Sequence, residues 1–260
     1  MSWEKELNVA KSAAIEAGKR ILAIYNENDG EVTYKEDNSP LTRADRASNA
    51  YIVEVLRREF PDYAILSEEE QDDRERLKND LCFVVDPLDG TKEYVKRNGQ
   101  FTVNIALAYQ GRSVMGVIQV PVSGDLYFAA EGQGSWYQPA GGEPQRLHVS
   151  ENTDHGSLRA VASSSHGSPE MDRLIEKYQI KDLVKIGSSL KGCLVAKGEA
   201  DIYFRHNPTM EWDTAAMQII VEEAGGIFRQ MDDTEMRYNR EDSRNSKGFY
   251  AINRAENRLR

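Results

Sequence analysis

Asp86-Pro-Leu-Asp-Gly-Thr-Lys-Glu93 is the stretch that decides how this chain is interpreted. It follows the apolar run Leu81–Val85, which predicts a buried strand. Because proline cannot donate a hydrogen bond to a sheet, we expect Pro87 to end that strand. Asp86 and Asp89 would then lie together at the carboxyl end of the strand rather than on its two faces.

The residues that follow add a candidate anion site. Gly90 permits close approach of the backbone to a ligand, and the N–H groups from Gly90 onward are expected to begin a helical turn, which favours bound anions. Two carboxylates beside an anion site indicate a divalent cation that bridges Asp86, Asp89 and a phosphate. The alternative is an ordinary Asp-Gly turn, which is the more common structure when that dipeptide occurs alone.

The composition favours a soluble globular protein. The chain has 260 residues, of which 40% are hydrophobic and 29% charged, so it suits one large domain or two smaller units that share a core. No apolar run approaches the ~20 residues that span a bilayer, and the first residues show no secretory signal. We therefore expect no integral membrane segment, while a peripheral association with a membrane stays open.

Charge and cysteine content limit the compartment and the partners. Cys82 and Cys193 lie in apolar segments and offer no disulfide framework, which favours a reducing, cytoplasmic location. The net charge of −10 argues against bulk nucleic-acid binding, which needs a basic face. It is compatible with a small phosphorylated ligand that bound cations and a few basic residues hold. Nothing in the composition indicates the oligomeric state.

The first part of the chain predicts two helices followed by antiparallel strands. The helices are expected over residues 3–26 and from an N-cap at Thr42 to about Phe60. Residues 71–80 are highly charged and are expected to form an exposed helix or loop. The predicted strands, which continue after the opening stretch as a meander, are 33–35, 63–66, 101–109, 113–120, 125–130 and 136–137.

The last part of the chain predicts alternating strands and helices. A segment rich in Gly, Pro, Ser, Asn and Asp, residues 138–158, separates it from the first part. Strands are expected at 159–163, 183–186, 200–204, 226–229 and 249–252, and helices at 169–178, 189–197 and 214–224. We therefore divide the chain into an α+β half, residues 1–145, with the metal site, and an α/β half, residues 146–260, with substrate-binding residues.

Three further acidic residues have a similar context. Glu68 follows a short predicted strand, Asp213 opens a predicted helix, and Asp45 lies early in the second helix. Such carboxylates can converge on one cleft, and a ligand set made of oxygen atoms alone favours Mg²⁺ over Zn²⁺. Each also has a structural alternative. Asp45 can complement a helix dipole, Glu68 can belong to an exposed acidic run, and Asp213 can be an N-cap.

These motifs resemble those of the lithium-sensitive, Mg²⁺-dependent phosphatase superfamily, which includes inositol monophosphatases and fructose bisphosphatases. Asp86–Thr91 is similar to its metal-binding signature, Trp212–Ala216 with Glu223–Gly226 to its second signature, and Leu66–Glu69 to its third acidic element. The elements occur in the family's order and span nearly the whole chain. The resemblance implies an α+β fold with an α/β second half, arranged as a layered αβαβα sandwich.

The continuation of these motifs narrows the resemblance to the bacterial 3′(2′),5′-bisphosphate nucleotidases of the CysQ type. The stretches that carry it are Asp37–Thr42, Asp89–Glu93, Lys96–Ala106, Ser164–His166, Gly187–Lys191 and Tyr203–Arg205. Inositol monophosphatases usually continue differently after Gly-Thr. The implied reaction removes the 3′-phosphate of 3′-phosphoadenosine 5′-phosphate, with the sulfated relative as a further substrate, in sulfur assimilation and nucleotide recycling.

The resemblance also implies a catalytic site with two Mg²⁺ ions, and a third, weaker one near Asp45 and Glu68. The implied metal ligands are Glu68, Asp86, the carbonyl of Leu88, Asp89 and Asp213. The implied catalytic residues are Asp45, Glu68 and Thr91. In this scheme Thr91 orients the attacking water and Asp45 accepts its proton.

A substrate with two phosphates needs a second anion site, for which Lys191 and Arg205 are the candidates. Ser188 and His166 would contact the ribose or the base. Each basic residue also has a simpler interpretation. Lys191 can be a solvated helix residue, Arg205 a surface arginine, and His166 a helix cap. The full set of expected substrate-binding residues is Glu68, Leu88, Asp89, Gly90, Thr91, His166, Ser188, Lys191, Arg205 and Asp213.

Two competing functions remain. One is a phosphatase for inositol or sugar phosphates, which would use the same chemistry. The other is a metal- or phosphate-binding sensor without turnover. The sensor is disfavoured because the acids that the chemistry needs are all present, together with Thr91 and Asp45.

Overall fold

The computed structural model describes residues 2–27, 32–34, 40–72, 74–165 and 167–260. The predictions for Lys35, for Asp37–Ser39 and for His166 lie outside these residues. The helices within the described ranges are α1 (Glu4–Asn26), α2 (Arg43–Glu59), α3 (Thr91–Val95), α4 (Pro169–Lys177), α5 (Leu190–Ala196) and α6 (Glu211–Glu223). Short 3₁₀ turns occur at Glu75–Lys78, His155–Ser157 and Ala255–Asn257.

A seven-stranded sheet forms most of the first half. Its strands, in spatial order, are β3 (Ala64–Ser67), β4 (Leu81–Asp89), β5 (Thr102–Tyr109), β6 (Arg112–Gln119), β7 (Leu126–Ala130), β8 (Gly134–Gln138) and β9 (Gln145–Arg146). The first pair is parallel and all other pairs are antiparallel. The predicted meander is therefore confirmed, with Gly132 and Gly134 at a hairpin.

A five-stranded mixed sheet forms the second half. Its strands, in spatial order, are β11 (Asp182–Ile186), β10 (Arg159–Ser163), β12 (Ile202–Arg205), β16 (Phe249–Ile252) and β14 (Ile227–Gln230). Two strand pairs lie apart from the large sheets, namely β1 (Val32–Tyr34) with β2 (Pro40–Thr42) and β13 (Thr209–Met210) with β15 (Arg244–Asn245). The short pair β13–β15 was not predicted from the sequence.

Alternation along the strands divides the molecule into layers. On β4, Phe83 and Val85 join an apolar cluster with α1 and α2, whereas Cys82 and Val84 face a second cluster with α5 and α6. The second cluster also includes residues of the five-stranded sheet, whose other face packs against α4 through Met171. The order of layers is therefore helix, sheet, helix, sheet, helix, which confirms the predicted αβαβα sandwich.

Helix α6 lies close against the seven-stranded sheet because one strand residue there has no side chain. A Cβ atom on Gly116 of β6 would lie 2.7 Å from the carbonyl oxygen of Ala216. This close packing holds α6 against the sheet and thereby positions its first turn near the end of β4. A helix of the second half thus forms part of the first half's core, and the division at residue 145 stays a prediction.

The structure corrects the expected role of Pro87. Strand β4 continues to Asp89, and Pro87 and Leu88 together lie opposite Val103 in a bulge. Proline is tolerated there because β3 pairs with β4 only as far as Val85, so no ladder bond is lost on that side. The hydroxyl of Ser48 in α2 donates to the Pro87 carbonyl at 2.7 Å and anchors the bulge.

Two other expectations change. Helix α6 begins at Glu211, three residues earlier than predicted, so that Asp213 lies in its first turn and is not its N-cap. Within the charged segment 71–80, Arg76 is buried rather than exposed. Its guanidinium pairs with Asp72 at 2.7 Å and donates to Asn239 at 2.9 Å, so the segment is docked onto the second half. No described helix is long and apolar enough to cross a bilayer.

Candidate active site

A cavity of about 270 Å³ opens between the carboxyl end of β4 and the first turn of α6. It brings together residues from both halves of the chain. The predicted site residues that line it are Glu68, Asp86, Leu88, Asp89, Gly90, Thr91, Ser188, Lys191, Arg205 and Asp213. Of the remaining two, Asp45 lies beside Thr91, and His166 is outside the described residues.

Three carboxylates form the acidic floor of the cavity. Asp86, Asp89 and Asp213 each place one oxygen within 4.8 Å of the others. Burial and the charges of Glu68, Asp89 and Asp213 raise the pKa of Asp86 well above its ordinary value. Burial and the charge of Asp89 likewise raise the pKa of Asp213 to about 7. Negative charges crowded in this way, without a bound cation, favour protonation, and a divalent cation would remove that repulsion.

Local structure explains how these acids meet. The bulge in β4 places Asp86 opposite Asn104 and Asp89 opposite Thr102, so both carboxylates emerge at one edge of the sheet. Asp213 is held from the other side because its carboxylate accepts the N–H of Met210 at 2.6 Å across the start of α6. The three acids therefore come from two elements that only the packing of α6 brings together.

Asp45 and Thr91 form a hydrogen-bonded pair beside this floor. The N–H of Thr42 donates to Asp45 Oδ2 at 2.7 Å in a capping box, which confirms Thr42 as the N-cap of α2. The Thr91 hydroxyl donates to the other oxygen of Asp45, Oδ1, at 3.2 Å. Burial, with a smaller contribution from the charge of Glu69, raises the pKa of Asp45. Asp45 is therefore oriented by its neighbours and is more basic than an exposed aspartate.

The turn at Gly90 begins helix α3 and requires a glycine. Its φ of +94° lies in the left-handed region, and an added Cβ would lie 3.1 Å from the Gln100 carbonyl oxygen. The predicted helical turn after Gly90 is thus observed, with Thr91 as its first residue. Gly90 and Thr91 both line the cavity.

The opposite wall of the cavity is basic. Lys191 is buried, and this burial lowers the pKa of its ammonium to about 8. It donates to the Ser188 carbonyl at 2.5 Å, and the charge of the nearby Arg205 contributes to the lowered pKa. Neither Lys191 nor Arg205 forms an ion pair with a carboxylate among the described residues. Two cations are therefore available to an anion on this side.

Ser188 and Arg205 also carry unsatisfied polar atoms. Ser188 Oγ and Arg205 Nε are buried, with no hydrogen-bond partner within the part of the chain that the structure describes. Ser188 has a φ of +48°, an unfavourable left-handed conformation for a serine. Strain and orphaned donors at one place are typical of a site that a polar ligand completes.

Other residues at the site were not assigned a role from the sequence. Ser189 and Asn104 donate to the Asp89 carboxylate, and Glu93, which lines the cavity, accepts hydrogen bonds from Ser164 and Ser165. The signal for Asn104 was available, because it is a polar residue inside an otherwise apolar predicted strand. The pairing of Ser189 with Asp89 had no such signal, since it depends on how the two halves pack.

The chain resembles characterised proteins over nearly its whole length. The model of the inositol monophosphatase family matches residues 2–257. The 3′(2′),5′-bisphosphate nucleotidase CysQ of Salmonella typhimurium is 40% identical over 235 residues, covering 90% of this chain and 94% of that protein. The protein of the same name from Buchnera aphidicola is 37% identical over 253 residues, covering 96% of this chain and 94% of that protein. The crystal structure of CysQ from Bacteroides thetaiotaomicron matches with a TM-score of 0.85 and 41% identity, covering 97% of this chain and 99% of that one.

Proposed function

The chain belongs to the inositol monophosphatase family, and we propose that it is a phosphoric monoester hydrolase acting on 3′-phosphoadenosine 5′-phosphate. The products are adenosine 5′-monophosphate and phosphate. The relatives named as 3′(2′),5′-bisphosphate nucleotidases support this choice, since two of them match at 40% and 37% identity over most of the chain. The sulfated relative of the substrate would react at the same 3′-phosphate, in sulfur assimilation and nucleotide recycling.

One observation carries the proposal, namely that the cavity has an acidic floor and a basic wall. The floor of Asp86, Asp89 and Asp213 suits a phosphate only with cations between them. Lys191 and Arg205 on the wall offer a direct site for a second phosphate. A substrate with two phosphates on one ribose matches both features, whereas a monoester needs only the first.

The donor set fits a divalent cation. Buried carboxylates that raise each other's pKa are stabilised by a cation, and their oxygen atoms are the ligands that Mg²⁺ prefers. We propose two Mg²⁺ ions, held by Glu68, Asp86, the Leu88 carbonyl, Asp89 and Asp213. When bound, Mg²⁺ supplies charge stabilisation for the phosphate and lowers the pKa of water.

The residues of the chain then position the water and the scissile phosphate. Thr91 donates its hydroxyl proton to Asp45 and can accept a hydrogen bond from the attacking water, so Thr91 can pass the proton of that water on to Asp45. Asp45, whose pKa burial has raised, accepts the proton of that water. The N–H groups of Gly90 and Thr91 hold the scissile phosphate, while Lys191 and Arg205 hold the other one.

A panel of phosphate esters tests this function. Phosphate release should be measured with Mg²⁺ on 3′-phosphoadenosine 5′-phosphate, its sulfated relative, inositol 1-phosphate and fructose 1,6-bisphosphate. We expect kcat/KM to be highest for the first two by about tenfold or more, because they carry two phosphates on one ribose, whereas inositol 1-phosphate has one phosphate and fructose 1,6-bisphosphate carries its second phosphate on a different sugar skeleton. A preference for inositol or sugar esters would replace the proposal with that alternative, and no release from any ester would support a sensor.

Replacing Lys191 with methionine should separate substrates with one and two phosphates. Methionine keeps the apolar stem but removes the charge, so KM for the bisphosphate should rise about tenfold or more, with a smaller change for adenosine 3′-monophosphate. Because burial lowers the pKa of Lys191 to about 8, wild-type KM for the bisphosphate should also rise above that pH, and in Lys191→Met this rise should be absent. The matched control is Lys197→Met, since Lys197 lies just beyond the same helix and pairs with Glu199. Equal effects on both substrates would place Lys191 outside the second anion site.

The crowded acids should make Mg²⁺ a pH-dependent stabiliser of the fold. The folded pKa of Asp213 is about 7, above the ordinary value near 3.9 that it regains on unfolding. Between these two pKa values the folded chain binds more protons than the unfolded chain. The contribution of Asp213 to the free energy of unfolding of the metal-free protein therefore falls as pH rises from about 4 to about 7. In EDTA the Tm should therefore fall across this window, and Mg²⁺ at a hundredfold excess over Kd should raise it by about 5–10 °C at pH 8.

The control for this stability measurement is Asp213→Asn, which should reduce the pH dependence because one titrating carboxyl is gone, although Asp86 and Asp45, whose pKa values are also raised, still contribute. A pH dependence of the metal-free Tm that is the same in Asp213→Asn and in the wild type would contradict the raised pKa of Asp213. A cytoplasmic location, expected from the two unpaired cysteines, stays a prediction that fractionation of the source cells would test.

A further inference from the structure

A buried polar network holds one oxygen of Asp89. The hydroxyl of Ser189 donates to Asp89 Oδ2 at 2.7 Å, and Asn104 Nδ2 donates to the same oxygen at 3.2 Å. Neither bond uses Oδ1. Both partners are 1% exposed, so water does not compete for these bonds.

The direction of the hydrogen bonds is determined by the number of donors. Asn104 Nδ2 also donates to Ser189 Oγ at 2.9 Å, while its Oδ1 accepts from the Thr102 hydroxyl at 2.9 Å. The amide nitrogen must face Asp89, since an ionised carboxylate only accepts. The single hydroxyl proton of Ser189 points to Asp89 for the same reason, since the carboxylate can only accept, while the Ser189 oxygen accepts from Asn104. Ser189 and Asn104 therefore both donate to Asp89, and Thr102 supports them by donating to Asn104.

The network joins segments that are distant in the sequence. Ser189 precedes α5 in the second half, whereas Asp89 ends β4 in the first half, 100 residues earlier. Although Ser189 lies at the N-cap position of α5, its hydroxyl makes no capping hydrogen bond and is instead directed at Asp89. It also lies 3.4 Å from the carbonyl oxygen of Asp213, the acid that α6 contributes. Ser189 thus contacts both segments that bring acids to the floor of the cavity.

We propose that Ser189, supported by Asn104 and Thr102, is a positioning residue for the cation site. By holding Asp89 through Oδ2, it fixes the carboxylate in one rotamer and leaves Oδ1 for the cation. Without the hydroxyl, Asp89 has to be ordered when the cation binds, which lowers affinity although every ligand is still present. The proposal rests on the cation site of the proposed function and is independent of which phosphate ester is the substrate.

Cation titration of Ser189→Ala tests the proposal. Kd for Mg²⁺ should be measured by calorimetry, and Kd for Mn²⁺ by electron paramagnetic resonance, on metal-free protein without substrate. We expect Kd to rise about 10–100-fold, the usual effect of removing a partner of a metal-binding side chain. The matched control is Ser135→Ala, which removes another fully buried serine hydroxyl and should leave Kd unchanged.

Three further measurements separate positioning from a purely structural role. At saturating Mg²⁺ the Ser189→Ala enzyme should recover most of its kcat, because Asp89 itself is intact. If that variant does not fold, Asn104→Ser removes the other donor and should raise Kd in the same direction. In the double variant the increase in Kd should be smaller than the product of the single effects, since both residues act on one oxygen.

The outcomes are distinct. An unchanged Kd with a lowered Tm would make Ser189 a structural residue and overturn the proposal. An equal rise in Kd for Ser135→Ala would overturn it as well, since the effect would then be global. A wild-type protein that binds neither Mg²⁺ nor Mn²⁺ would refute the cation site and this proposal together. If Ser189→Ala binds Mg²⁺ more weakly and the wild-type protein releases no phosphate from 3′-phosphoadenosine 5′-phosphate, the proposed substrate is refuted and the positioning role is supported.

Discussion

Replacing Asp89 with asparagine is expected to lower kcat by about a thousandfold or more while the protein still folds. Asparagine has nearly the same shape, and its amide oxygen can accept the hydrogen bonds of Ser189 and Asn104. What is lost is a negative ligand at the acidic floor, where cation-based stabilisation of a phosphate is worth several kcal/mol. Single-turnover phosphate release with Mg²⁺ in excess measures this loss directly.

The same variant should be at least as stable as the wild type when metal is absent. The charge of Asp89 contributes to the raised pKa of both Asp86 and Asp213, so removing it relieves repulsion in the folded state. The Tm in EDTA at pH 8 should therefore be equal or higher, and its increase on adding Mg²⁺ should be smaller. Asp80→Asn, just before the start of the same strand, is the matched control and should keep full activity. Wild-type turnover in Asp89→Asn would refute the metal assignment.

Replacing Thr91 with valine should lower kcat by about 10²–10³-fold with little change in KM. Valine keeps the branched shape but removes the hydroxyl that contacts Asp45 Oδ1, and with it the group that we expect to orient the attacking water. A positioned proton-transfer partner usually contributes an effect of this size. Thr91→Ser keeps the hydroxyl and should recover most of the rate, which distinguishes lost chemistry from altered packing.

The pH–rate profile gives an independent test of the Thr91–Asp45 pair. The hydrogen bond from Thr91 is one of the contacts that lower the pKa of Asp45 against the effect of burial. Removing it should raise that pKa further, and because the base acts when deprotonated, the acid limb of kcat should move to higher pH. A profile that keeps its acid limb in Thr91→Val would assign that limb to another group.

Much of the fold could be predicted because its signals are local. The meander, the alternating second half and the N-cap at Thr42 depend on residue spacing within a few turns or strands, and the structure confirms them. The failures have physical causes. Pro87 lies in a strand because β3 ends before it, and Arg76 is buried because Asp72 and the second half satisfy its guanidinium.

The candidate site, like the fold, could be predicted from the sequence only in part. Asp86 and Asp89 lie three positions apart in the sequence, and the resemblance of their motif to a phosphatase signature indicates both from the sequence alone. The location of Lys191 in the cavity matches the expectation, but its near-complete burial and hydrogen bond to the Ser188 carbonyl did not follow from the motif. The roles of these residues stay proposals that the substitutions above would test.

By itself, the sequence predicted most of the elements in order, because hydrophobic period is a property of neighbouring residues. Its contiguous motifs identified the family and, through that resemblance, the αβαβα class. Only the tertiary structure decided which groups meet. Asp213 reaches Asp89 because the glycine at position 116 lets α6 lie against the sheet, and Ser189 reaches Asp89 across 100 residues of chain. Such contacts depend on the packing of whole layers, which no local pattern encodes.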